Sequence, residues 1–197
     1  MFKTYDGCDI SSVVLSKLAQ INSENNVSNM ELYNYGANEI EKIGKKYDVI
    51  LMSSVTEYFS GYNYMREVVQ KCINCLKDEG RIFIGDVFDL GTKTEYENSV
   101  SEYASDNPGA RAKKNFSHEL FIPMEYWLDI MSSFDEIQSV EVTDKYGEIE
   151  NEINRFRYDV LIHVRKKGST SGKIRKDEIS REQNIFGKRM HKYQFAG

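Results

Sequence analysis

Proline is almost missing from this sequence, with two in 197 residues. Few positions are therefore barred from regular structure, and long helices and strands are expected rather than a loop-rich scaffold. No apolar run approaches the ~18–20 residues that span a bilayer, so no membrane partner is expected. The N-terminus has no charged stretch leading into an apolar one, so no signal peptide is read. Three cysteines, Cys8, Cys72 and Cys75, are too few for a disulfide framework and point to a reducing, cytoplasmic setting. Cys72 and Cys75 fall one turn apart within a helical pattern, where free cysteine packs as a small hydrophobe. The three histidines show no metal-ligand spacing, and no metal site is expected. Positive charge is not in surplus: the formal net charge is −5, which does not favour binding to nucleic acid.

What is present is an alternation of short apolar runs and amphipathic stretches. Lys3 to Cys8 reads as extended, and Ser11 or Ser12 can cap a helix that carries Val14, Leu15, Leu18 and Ile21 on one stripe. Met30 to Tyr35 alternates as a strand, is broken by Gly36-Ala37-Asn38, and leads into a weak helical turn. Tyr47 to Met52 (YDVILM) is almost continuously apolar, the pattern of a strand buried on both faces. A helix from about Tyr62 to Leu76 follows, then a turn at Lys77–Gly80, then a second buried strand, Arg81 to Val87 (RIFIGDV). Thr92 to Ala104 reads as helix and Asp106 to Asn115 as an exposed loop. Pro123 suits the first turn of a helix running to about Ser132. Ile137 to Val142 and Phe156 to Val164 read as strands joined by a loop over Thr143 to Asn154, and so as an antiparallel pair. Strands separated by helices imply a mostly parallel sheet with helices on both faces. One domain over residues 1–165 is expected, with 166–197 a linker and a short helical or disordered tail.

In an open parallel sheet, ligands bind beyond the carboxyl ends of the strands. Asp9 stands at one such end, where a carboxylate either accepts hydrogen bonds from ribose hydroxyls or caps the next helix. Ala37 and Asn38 stand at the next, where a small residue and a side-chain amide suit a flat adenine, or make a plain turn. Ser53 and Ser54, followed by Glu57 and Tyr58, end the YDVILM strand and either face the crevice or start a helix. Asn151, Glu152, Arg155 and Arg157 gather polar groups at the start of the last strand, as a site or as a solvated strand edge.

Four blocks in register carry a resemblance. YDVILMSSVTEYF, DEGRIFIGDV, HELFIPMEYW (His118 to Trp127) and NEINRFRYDV (Asn151 to Val160) resemble the methyltransferase domains embedded in nonribosomal peptide synthetases, over residues 3 to about 165. The resemblance implies a Rossmann-like class I methyltransferase sheet, mostly parallel with an antiparallel last strand, and S-adenosylmethionine as cofactor. It implies an acceptor that is an aminoacyl group on a carrier protein, methylated most plausibly at nitrogen, with other synthetase domains as partners. Asp9 matches the family's ribose-binding acid, and Ala37 and Asn38 match its adenine-side segment. Ser53 replaces a usual asparagine and Glu57 a usual glutamine; Ser53 and Ser54 are carried as cofactor-side residues. Glu119 and Glu152 are candidates to take the amine proton, Tyr58 joins them as a candidate catalytic residue, and Asn151 and Arg155 are candidates to hold substrate. The family's first strand and glycine-rich loop, of the type ExGxGxG, have no counterpart here, so open strand edges and self-association through them are expected. An inactive, methyltransferase-like fragment with a structural role or none is the alternative expectation.

Overall fold

The computed structural model describes residues 3–109 and 116–166, and the backbone of 180–183 and 189–194. In chain order the elements are β1 (Tyr5–Cys8), α1 (Ser12–Glu24), β2 (Met30–Tyr33), β3 (Tyr47–Ser53), α2 (Tyr62–Cys75), β4 (Leu76–Phe88), α3 (Lys93–Asp106), α4 (Tyr126–Ser133), β5 (Ile137–Asp144), α5 (Glu152–Phe156), β6 (Arg157–Arg165), β7 (Ser180–Gln183) and β8 (Arg189–Gln194). The strands form two sheets: β1 with β2, and a larger one in the order β3-β4-β6-β5-β8-β7. β1 and β2 are parallel, as are β3 and β4, with Val49 to Ser53 lying beside Arg81 to Gly85. The pairs from β4·β6 onward are antiparallel. YDVILM and RIFIGDV are thus parallel neighbours and the two late strands antiparallel, both as their patterns imply.

The stripe Met65, Val68, Val69 and Cys72 puts one face of α2 wholly in the core, together with Trp127, Ile130 and Met131 of α4. Arg66 of α2 binds Asp129 and Ser133 of α4, so the two helices lie side by side on one face of the sheet. Trp127 Nε1 donates to Tyr158 Oη at 2.9 Å, and that hydroxyl donates to the Ile122 carbonyl at 2.9 Å. This satisfies the polar atoms of two fully buried aromatic residues. A second, smaller core lies under α3, made of Phe88, Tyr96, Phe116, Phe121 and Phe156. Cys72 and Cys75 are buried packing residues on α2.

Several elements differ from their sequence patterns. Lys77 to Gly80 is not a turn: it belongs to β4, where Lys77 Nζ reaches both carboxylate oxygens of Asp48 at 2.9 and 2.7 Å and Tyr47 pairs with Leu76. The helix expected from Pro123 begins at Tyr126, after a turn in which the Tyr126 amide donates to the Pro123 carbonyl. The loop expected over 143–154 gives up Thr143 and Asp144 to β5 and its last residues to α5. The tail is not helical where it is described. Its two segments form a hairpin, β7 and β8, that extends the sheet beyond β5; the remainder of 167–197, and 110–115 of the expected loop, lie outside the described residues.

YDVILM is less buried than its composition implies: only Met52 is fully buried, and Leu51 is 55% exposed. α1 has its apolar stripe but no buried residue, with Val14 50% and Ile21 52% exposed. The cause is common to both. Among the described residues β1 and β3 share no backbone pairing, and what joins them is polar. Asp6 accepts from Tyr47 Oη at 2.7 Å and from Lys45 Nζ at 3.1 Å, and Lys45 also reaches Glu31 on β2 at 3.1 Å. These contacts bring the amino-terminal ends of β1, β2 and β3 together, so their carboxyl ends share one edge of the molecule.

Candidate functional site

That edge collects the residues of interest in three groups. The first lies at the tips of β1 and β2. Asp9 Oδ1 accepts the Ser11 amide at 2.7 Å, a local turn contact just ahead of α1, while the Asp9 carbonyl accepts from Asn34 Nδ2 at 2.9 Å. Ser11 in turn caps α1 through the Val14 amide. Ala37 and Asn38 open a 3-10 turn (Ala37–Ile43) whose preceding amide, that of Gly36, donates to Glu39 Oε2 at 3.0 Å. Asn38 Oδ1 accepts from Tyr64 Oη at 3.1 Å, which ties the turn to α2. A Cβ on Gly36 would come within 3.3 Å of Asn38 Oδ1 and 3.7 Å of Ile10, so the turn lies beside the β1 tip and, with glycine there, no side chain covers the backbone between them. The structure therefore brings Asp9, Ala37 and Asn38 together.

The second group lies at the tips of β3 and β4. Ser53 and Ser54 hydroxyls both donate to Asp86 Oδ2, at 2.6 and 2.7 Å. Lys145, just past β5, reaches Asp86 at 2.9 Å and Asp159 at 2.7 Å, and Asp159 also accepts the Asp86 amide at 3.0 Å. Ser54 and Asp86 adopt left-handed backbone conformations, with φ of 55° and 65°. For residues other than glycine this costs on the order of 1 kcal/mol each and is typical of functional tips. The β4·β6 register shifts between Ile84 and Val87, a bulge that turns Asp86 out of the strand. Gly85 makes room for it, since a Cβ there would sit 3.1 Å from Ser53 Oγ. Burial alone would raise the Asp86 carboxyl, but the bonds from Ser53, Lys145 and Ser54 outweigh it and hold the pKa at about 2.

The third group faces α3 and α5. Arg157, which pairs with Phe88 at the start of β6, lies over the Phe88 ring at 3.9 Å. It binds Glu152 at 2.7 Å and Glu57 at 3.3 Å. Burial opposes its charge, yet Glu152 and Glu57 keep its pKa raised. Glu57 has a side chain only 6% exposed. Among the described residues, the buried Glu57 Oε2, Arg157 Nε and Thr56 Oγ1 find no hydrogen-bond partner. Tyr96 completes the group: burial pushes its phenol up to about 12, with help from Glu152 and Glu119. The backbone amide of Leu120 donates to the Glu57 carbonyl at 2.9 Å, and that of Ile122 to the Phe88 carbonyl at 2.9 Å, sealing segment 120–122 against both tips.

Glu119 and Glu152 thus converge on Tyr96, although they lie far apart in sequence. Asn151 caps α5, its Oδ1 accepting the Ile153 and Asn154 amides at 2.9 and 3.2 Å. Arg155 is held by Glu95 at 2.6 Å and Glu150 at 3.3 Å. Tyr58 stands apart from these, 75% exposed. Sequence reasoning passed over Asp86, Lys145 and Asp159. One signal for them was present: a Gly-Asp pair inside an otherwise apolar run, where a bulge would expose the acid. Nothing local marked Lys145.

Comparison with known proteins agrees with this geometry. Residues 1–82 match the family model of a methyltransferase domain. The nonribosomal peptide synthetase CymA of Salinispora arenicola is 28% identical over 165 residues, covering 81% of this chain and 2% of that protein. Chondramide synthase cmdD of Chondromyces crocatus is 29% identical over 127 residues, covering 60% of this chain and 3% of the synthase. The chain therefore spans only a few per cent of the length of these relatives. In fold it is similar to the N-methyltransferase NodS of Bradyrhizobium japonicum, with a TM-score of 0.54 at 12% identity, covering 83% of this chain and 73% of NodS. It is also similar to an O-methyltransferase family protein of Burkholderia thailandensis, with a TM-score of 0.53 at 17% identity, covering 84% and 44% of the two chains. In sequence this chain is similar to a methyltransferase domain over residues 1–82 and to segments of nonribosomal peptide synthetases, and in fold it is similar to solved Rossmann-like methyltransferases.

Proposed function

We propose that this domain serves S-adenosylmethionine-dependent methylation of an aminoacyl or peptidyl amine held on a carrier protein, alongside the other domains of a peptide synthetase. The observation that carries the reading is the gathering on one edge of a nucleoside-type group (Asp9, Ala37, Asn38) and a carboxylate-rich group (Glu57, Glu119, Glu152), in a chain similar to peptide synthetases over most of its length. The first group fits an adenosyl ligand. Gly36 leaves the backbone between the two tips uncovered, and the Asp9 carboxylate stands at the end of a parallel strand. Asp9 would hold the ribose hydroxyls, and Ala37 with Asn38 the adenine. S-adenosylmethionine, when bound, supplies an electrophilic methyl group on a sulfonium.

The chain's own residues then act on the acceptor. An amine must be neutral to attack, and a carboxylate beside it takes the proton. Glu119, half-buried next to Tyr96, is the proposed base, with Glu152 the second candidate. Ser53 and Ser54 hold Asp86 at the tip between the two groups, and Tyr58, Asn151 and Arg155 border the acceptor side. Segment 120–122 excludes water there, which strengthens each charge interaction. A second reading, a domain without turnover by itself, is favoured by the unpaired edges of β1 and β3 and the uncovered stripe of α1. Methyl transfer to an aminoacyl carrier protein, compared between this chain and Glu119→Gln, separates them. The first reading expects turnover that falls at least ~100-fold in the variant; no turnover in either, with S-adenosylhomocysteine still bound, supports the second.

A further inference from the structure

We infer, resting on the reading above, that the cavity between α3 and α5 selects the acceptor: it receives a large apolar or aromatic side chain of an amino acid whose carboxyl group is masked. The cavity measures about 450 Å3, within the range of small-ligand sites. Its floor is aromatic. Phe116 and Phe156 lie 5.0 and 5.2 Å from Tyr96, both tilted against it, and all three are buried. Val100 and Tyr103 of α3 form a wall. Tilted rings at this spacing offer a further ring the edge-to-face contact it prefers. Tyr96 and Glu152 both line the cavity, and Glu152 binds Arg157, which binds Glu57 just past the tip of β3. The ion pairs of Arg157 therefore connect the cavity lining to the strand tips where ligands bind in such sheets.

The charge at the mouth decides what else the acceptor carries. Glu57, Glu95, Glu150 and Glu152 surround Arg155 and Arg157, and both arginines are already paired with them. Among the described residues, carboxylates are left in excess. An ammonium is favoured there, while a free carboxylate meets repulsion and, among the described residues, finds both guanidinium groups already paired. An amino acid bound through an ester, amide or thioester removes that carboxylate; a free amino acid does not. The acceptor is thus a cation with a bulky apolar side chain and no negative charge.

Phenylalaninamide, glycinamide and free phenylalanine are titrated into the 15N- and 13C-labelled chain, with binding read by NMR shifts. Phenylalaninamide is expected to shift Tyr96, Val100 and Phe116 and to bind at least tenfold more tightly than either of the others. Val100→Trp fills the cavity and should abolish that advantage. Ser99→Phe, at a half-buried position of the same lining, repeats the test should the first variant fail to fold. Equal affinity for the three ligands, shifts away from the cavity, or an undiminished preference in both folded variants would overturn the inference. Titration with S-adenosylhomocysteine is run in parallel. If it binds while the three amino-acid ligands do not differ, selection by the cavity fails alone. If it does not bind while phenylalaninamide seats in the cavity, the methyl-transfer reading fails and the cavity assignment stands.

Discussion

Asp86 makes the sharpest test of the strand-tip cluster, through its response to acid. Its carboxyl is held down from an ordinary 3.8 to about 2 against the opposing effect of burial. One pKa unit corresponds to about 1.4 kcal/mol, so the full depression would contribute roughly 2.4 kcal/mol. With the side chain 14% exposed, solvent screening reduces this to about 1–2 kcal/mol. The folded value lies below the unfolded one, so the contribution is fully present above about pH 4 and is lost as pH falls through about 2. Asp86→Asn removes the ionisable group while keeping an acceptor for Ser53 and Ser54. The variant should be about 1–2 kcal/mol less stable at neutral pH in urea unfolding, and its loss of stability between pH 4 and 2 should be shallower by the same amount. Carbon NMR of the Asp86 carboxyl in the intact chain gives the midpoint directly. Titration at 3.8 or above, or superimposable stability–pH curves for the two proteins, would refute the account of Ser53, Ser54 and Lys145 as its stabilisers.

Other outcomes follow from the same structure. Asp9→Ala should weaken S-adenosylhomocysteine by about 1.5–3 kcal/mol, the worth of hydrogen bonds to a charged group, and calorimetry showing equal affinity would remove Asp9 from the ribose site. Tyr158→Phe strips the hydroxyl between Trp127 Nε1 and the Ile122 carbonyl and leaves both buried without it. A lower urea midpoint worth about 2–4 kcal/mol, with an unchanged slope, is expected. The open edges of β1 and β3, with Ile10, Val13 and Leu51 exposed beside them, should make this chain associate as its concentration rises. Light scattering that reports a monomer across a hundredfold concentration range contradicts this.

The sequence by itself settled what is local. The 3.6-residue period of Met65, Val68, Val69 and Cys72 needs no knowledge of the partner helix to define α2, and the apolar runs of β3 and β4 define strands in the same way. The blocks quoted in register carried the resemblance because their spacing survives along the chain whatever the contacts between them. Tertiary structure alone decided what depends on a partner. The YDVILM run reads as buried on both faces, but burial is set by what lies beside a strand, and the β1 side of β3 carries no paired strand. Lys77 to Gly80 has turn composition, yet it bulges out opposite Asp48 of β3 while Glu79 and Gly80 pair with Arg165 and Val164 of β6. The sequence places Ser53 and Ser54 at the end of β3, but their meeting with Asp86 depends on the bulge in β4 that brings that carboxylate to both hydroxyls. Arg157 meets Glu57 across a hundred residues of chain, and Lys145 joins two aspartates from different strands. No periodicity encodes such meetings, because they are fixed by the order of strands in the sheet and not by the order of residues along it.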